Sequence, residues 1–61
     1  MVIDADHETP EETVIAYVRI VDSHRTKVRI AFVRKGRIRC ELHGGVVIEA
    51  ASPEGLEEKL R

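Results

Sequence analysis

Four side chains in this chain could bind a metal or attack a substrate: Cys40 and the imidazoles of His7, His24 and His43. Their spacing suits neither task. No C-x-x-C or H-x-x-x-H pair is present, so no turn or helix face presents two ligands together. A nucleophilic Cys40 with His43 as its base is the sharpest catalytic arrangement on offer, and it would be lost on Cys40→Ser. Residues three apart on a strand, however, point to opposite faces. Carboxylates pair up at Asp4 with Asp6 and at Glu11 with Glu12, in an acidic stretch without apolar surroundings that would shift a pKa for acid–base work. Gly44-Gly45 lacks the flanking pattern of a phosphate-binding loop. The expectation is a chain with no catalytic residue, no metal and no cofactor, too small for a substrate cleft, and so not an enzyme.

Binding is what remains, and charge is the signal for it. The net charge of −1 conceals a zoned distribution: residues 1–13 carry −5, residues 14–43 carry +6 and residues 44–61 carry −2. In the basic centre, Lys27, Arg29, Lys35, Arg37 and Arg39 would form an outward stripe across neighbouring strands, with Arg25 and Arg34 in the turns alongside. Such a stripe can follow a phosphate backbone with salt-dependent affinity. Against that reading, Glu41 and Glu49 are placed to neutralise Arg29 and Arg39, and no aromatic residue falls within the stripe to stack a base.

These residues must be positioned by strands. From Lys27 to Ala50 apolar side chains alternate with charged ones, the period of a half-buried sheet. Val28, Ile30 and Phe32 form one inward row, Ile38, Cys40 and Leu42 the next, and Val46, Ile48 and Ala50 a third. Pairing must keep inward residues opposite inward residues. A three-residue loop at Arg34-Lys35-Gly36 satisfies this by setting Phe32 opposite Ile38 and Val28 opposite Leu42; a two-residue loop at Lys35-Gly36 would mix the faces. A second three-residue loop at His43-Gly44-Gly45 sets Cys40 opposite Ile48 and Ile38 opposite Ala50. On the outer face Arg29 then meets Glu41 and Arg39 meets Glu49.

The tail from Ser52 predicts a short helix, with Ser52 as cap, Pro53 at the first turn, and Leu56 and Leu60 on one face. Residues 10–21 are ambiguous. Thr9-Pro10-Glu11-Glu12 resembles a helix start, and Val14, Tyr17, Val18 and Val21 have helical spacing. Five of the eight residues from Val14 to Val21 are nevertheless Val or Ile, and a strand is the expectation. It would expose Ile15, Tyr17, Val21 and Val33 as an apolar interface.

Lys27-Val28-Arg29-Ile30-Ala31-Phe32 resembles the central strand of the carbon storage regulators, small RNA-binding dimers with a C-terminal helix. The resemblance covers about ten residues and implies a strand-rich RNA binder. It departs at Asp4, Ala5 and Asp6, where that family has basic residues, and in the lack of an Ala-Pro after the central strand. No RNA-contacting residue is carried over.

The reading that results is an α+β fold: a small antiparallel β-meander of three to four strands with a short C-terminal helix packed on one face. Residues 1–12 form an acidic, partly disordered arm and residues 13–61 a single small domain. Roughly 60% of the unfolded surface is buried at this length, so a marginal core favours self-association. The expected function is a non-catalytic interaction module, a homodimer joined through its sheet, with a small RNA- or DNA-binding regulator as the alternative. One cysteine and no apolar run near the roughly 20 residues that span a bilayer point to a cytoplasmic protein with no membrane partner.

Overall fold

The computed structural model describes residues 2–61 in the order β1 (Val2–Ala5), α1 (Glu11–Ser23), β2 (Val28–Arg34), β3 (Arg37–Leu42), β4 (Val47–Ala50) and α2 (Pro53–Leu60). The four strands form one sheet in sequence order, β1 parallel to β2 and the other pairs antiparallel. Both helices pack on the same face of it, as an α+β fold with a largely antiparallel meander and a C-terminal helix. No helix among the described residues is long and apolar enough to cross a membrane.

The expected acidic arm contains the edge strand β1, whose Val2, Ile3, Asp4 and Ala5 pair with Ile30 to Val33; Met1 lies outside the described residues. This strand also corrects the reading of residues 10–21. Two parallel neighbours cannot be joined by a tight turn, so the chain between them must cross over the sheet, and α1 is that crossover. Glu11 and Glu12 in its first turn favour the positive end of the helix dipole. The helical spacing prevails over β-branched propensity because it puts Tyr17 and Val21, four apart, into the core. Pro10 occupies the cap position with no side-chain cap, so the capping box suggested by Thr9 and Glu12 does not form.

The β2–β3 hairpin is the second correction. Arg34 pairs with Arg37 across a two-residue turn in which Lys35 (φ 52°) and Gly36 (φ 80°) are both left-handed, the geometry that matches strand twist. The faces still agree, because Val28 pairs with Leu42 but Ile30 with Glu41, which leaves Arg29 as one extra residue in a bulge. Side-chain parity reverses there. Val28, Ala31 and Val33 turn inward and are fully buried, whereas Ile30 and Phe32, expected inside, turn to the open face.

The β3–β4 hairpin has the expected register, Cys40 opposite Ile48 and Ile38 opposite Ala50, with Gly44 and Gly45 at positive φ. In α2 the Ser52 hydroxyl accepts a hydrogen bond from the Gly55 N–H at 3.1 Å, and Leu56 and Leu60 are buried. They join Tyr17, Val21, Val28, Ala31, Val33, Ile38, Cys40 and Ala50 in one core. His24 at the end of α1 meets Glu57 of α2 at 3.1 Å, and the Lys27 ammonium, in the turn before β2, donates to the Leu60 carbonyl at 2.8 Å, so the end of α1 and the turn after it are both tied to α2.

One polar cluster holds the tight turn. Asp6 accepts from the Thr9 hydroxyl at 2.6 Å and amide at 3.1 Å, and from the Lys35 amide at 2.7 Å. The Thr9 hydroxyl accepts from the Gly36 amide at 2.9 Å, and the Tyr17 hydroxyl donates to the Gly36 carbonyl at 2.6 Å. The hydrogen bond from the Thr9 hydroxyl, aided by the Lys35 amide, lowers the Asp6 carboxyl below the ordinary carboxylate range. A carboxyl that is more acidic folded than unfolded stabilises above its unfolded value of about 3.9, and that stabilisation is lost as pH falls through the folded value. Asp6→Asn is therefore expected to melt at a lower temperature than wild type at pH 7. The two curves should converge on acidification below about pH 4 in a thermal-melt series. Equal melting temperatures at neutral pH would contradict this role.

Candidate binding surface on the open sheet face

With both helices on one side, no element among the described residues covers the other face of the sheet, and strand register arranges its side chains in rows. Nearest the tight turn stand Arg34 and Arg37. The middle row runs Asp4, Phe32, Arg39, Glu49 across β1 to β4. The next runs Val2, Ile30, Glu41, Val47, with Arg29 of the bulge beside Glu41. Phe32 and Ile30 are half-buried by their neighbours, and Val2 and Val47 are exposed.

Two of the arginines are already engaged. Arg29 pairs with Glu41 at 2.9 Å, as the hairpin arithmetic anticipates, although it does so from the bulge. Arg34 pairs with the Asp4 carboxylate at 3.1 Å and donates to the Asp4 carbonyl at 3.0 Å, while its guanidinium carbon lies 5.8 Å from the centre of the Phe32 ring. Arg37 and Arg39 make no ion pair among the described residues, and Arg39 lies across from Glu49 without closing one. Phe32, Arg34, Arg37, Ile38, Arg39 and Glu49 line a shallow concavity of about 430 Å³. A smaller depression of about 360 Å³ on the helical side is lined by Ile20, Pro53, Glu54, Glu57, Glu58 and Arg61, an acidic surface.

The expected basic stripe is thus divided. Lys27 is committed to the end of α2, Arg29 to Glu41, and Lys35 stands in the turn, so of the five only Arg37 and Arg39 remain together and unengaged among the described residues. The expected apolar interface is overturned more completely. Tyr17, Val21 and Val33 are each 0% exposed, leaving only Ile15, 45% exposed on α1. Two causes act: a helix in place of a strand buries Tyr17 and Val21, and the bulge turns Val33 inward.

The structure adds Phe32 and Asp4 to this surface and places Arg34, expected in a turn, at the end of β2. A bulge is not written in a hydrophobic pattern, although Lys35-Gly36, which suits a turn with two left-handed residues, was the available hint. Cys40 is fully buried and its burial pushes the thiol up, so the thiol stays protonated, while His43 stands exposed in the second turn. No group of three or more His, Cys, Asp or Glu side chains that could hold a metal occurs among the described residues. A scan of protein-family models, a search of curated proteins and a search of solved structures each returned no match to this chain.

Proposed function

We propose that this protein is a non-catalytic module that binds single-stranded nucleic acid on the open face of its sheet. The observation that carries the reading is Phe32: the bulge at Arg29 delivers the one phenylalanine into the midst of Arg34, Arg37 and Arg39. A half-buried aromatic ring on an open sheet face still offers a stacking platform to a base, and flanking guanidinium groups take the phosphates on either side. The objection that the basic stripe holds no aromatic residue is removed by that reversal of parity. A single strand suits the geometry, because its unpaired bases can lie flat on a sheet. The buried Cys40 thiol, held protonated, offers no nucleophile, which supports binding over thiol catalysis.

The test is fluorescence anisotropy of a labelled RNA octamer, beginning at low salt. Contact with three arginines predicts saturable binding whose log–log salt slope is near −2, at about −0.7 per phosphate on a single strand. No binding at low salt would end the reading.

Asp4 occupies Arg34 as a phosphate would, and so competes with the ligand. Asp4→Asn is expected to tighten RNA binding by a few-fold, since the exposed pair is worth about 0–1 kcal/mol and a negative charge leaves the face. Weaker binding by this variant would show that Asp4 orients Arg34 instead of competing for it.

The row of Val2, Ile30 and Val47 favours a second reading, self-association through the same face. It predicts a solution mass of twice 6.9 kDa at micromolar concentration, reverting towards the monomer when RNA is added. A monomer throughout would exclude it.

A further inference from the structure

Three carboxylates share the open face. Asp4 is held by Arg34 and Glu41 by Arg29, but Glu49 makes no side-chain hydrogen bond or ion pair among the described residues. It is also the carboxylate lining the concavity that contains Phe32 and the three arginines. A negative group at that place weakens attraction for a polyanion. Its chemistry suits recognition of a base.

We infer that Glu49 gives this face a preference for guanine, a refinement that rests on the nucleic-acid reading above. Phe32, Arg39 and Glu49 stand in one row on adjacent strands, so backbones two strands apart are separated by about 10 Å at the usual strand spacing. A base stacked on Phe32 and directed towards β4 passes over Arg39 and brings its Watson–Crick edge to Glu49. An ionised carboxylate has two oxygens that accept and none that donate. Guanine alone offers two adjacent donors on that edge, the N1–H and the N2 amino group, one for each oxygen. Adenine and cytosine offer one donor beside an acceptor, and uracil one donor between two acceptors, so each sets a lone pair against the carboxylate. Arg39 stays available for the neighbouring phosphate or the guanine O6.

The experiment compares four oligouridine octamers that are uniform or carry a single central G, A or inosine, each titrated into the wild-type protein and the Glu49→Gln variant. The expected result is about tenfold tighter binding of the G-containing strand than of the A-containing one, with most of the gain lost for inosine, which lacks the N2 amino group. In Glu49→Gln the preference should fall to within about twofold while oligouridine binds as well or better. Glu49 is exposed, and an unchanged circular-dichroism melt would verify that the variant folds. Binding without base preference, or a guanine preference that survives in Glu49→Gln, would overturn the assignment and leave the nucleic-acid reading standing. No binding of any strand would overturn both.

Discussion

Phe32→Ala is expected to weaken binding of a single-stranded RNA octamer about ten- to a hundredfold, with the fold intact. Truncating an aromatic stacking platform costs about 1–3 kcal/mol per base, and each 1.4 kcal/mol is a factor of ten. Phe32 is the one aromatic ring on this face, so no second ring shares the loss. Its packing role is smaller. It lies opposite the helices, half-buried by strand neighbours and by the Arg34 guanidinium, and does not belong to the core. The melting temperature of the variant should therefore change little. Phe32→Trp retains a ring and should bind at least as well as wild type, which separates stacking from general disturbance of the face. Arg37→Ala offers a contrast, since it should lower affinity with the salt slope reduced by about 0.7, whereas Phe32→Ala leaves the slope unchanged. If Phe32→Ala binds RNA like wild type, the ring is no platform and the proposed site is wrong.

Tyr17→Ala is expected to unfold the protein. The Tyr17 side chain is 0% exposed at the centre of the core, and removing a large buried aromatic costs about 3–5 kcal/mol. A domain of this size has only a few kcal/mol in hand. The loss is compounded because the Tyr17 hydroxyl is one of the groups holding the tight turn, through the Gly36 carbonyl at 2.6 Å. Tyr17→Phe isolates that bond. It keeps the ring and should cost about 1 kcal/mol, the net worth of one hydrogen bond. Urea titrations followed by far-ultraviolet circular dichroism would report both. A cooperative transition for Tyr17→Ala with a midpoint like that of wild type would contradict the central role of this side chain.

The arrangement of the molecule links these two predictions. Tyr17, Thr9 and Asp6 hold the Lys35-Gly36 turn from the helical side, and the turn with the Arg29 bulge sets which face Phe32 occupies. A change that allowed β2 to lose its bulge would move Phe32 inward and Val33 outward together, because side chains alternate along a strand. The binding surface is thus a consequence of how one hairpin is anchored.

The parts of this protein that the sequence by itself determined are those built from neighbouring residues. The α2 cap, its buried Leu56 and Leu60, and the β3–β4 hairpin each follow from a cap, a proline or a glycine pair acting within a few positions. The pairing of Arg29 with Glu41 was legible as well, since either register brings them close. Tertiary structure decided the rest. β1 is only four residues long and finds its partner in β2, far along the chain, so nothing local marks it as a strand. Once it pairs in parallel, the connection must cross the sheet, and that settles the Val- and Ile-rich residues 10–21 as helix when their composition could not. The bulge is likewise a property of two strands at once: one inserted residue leaves the hydrophobic alternation on either side intact but exchanges inside for outside. For that reason the arginines of the candidate site could be found in the sequence, while the aromatic ring among them could not.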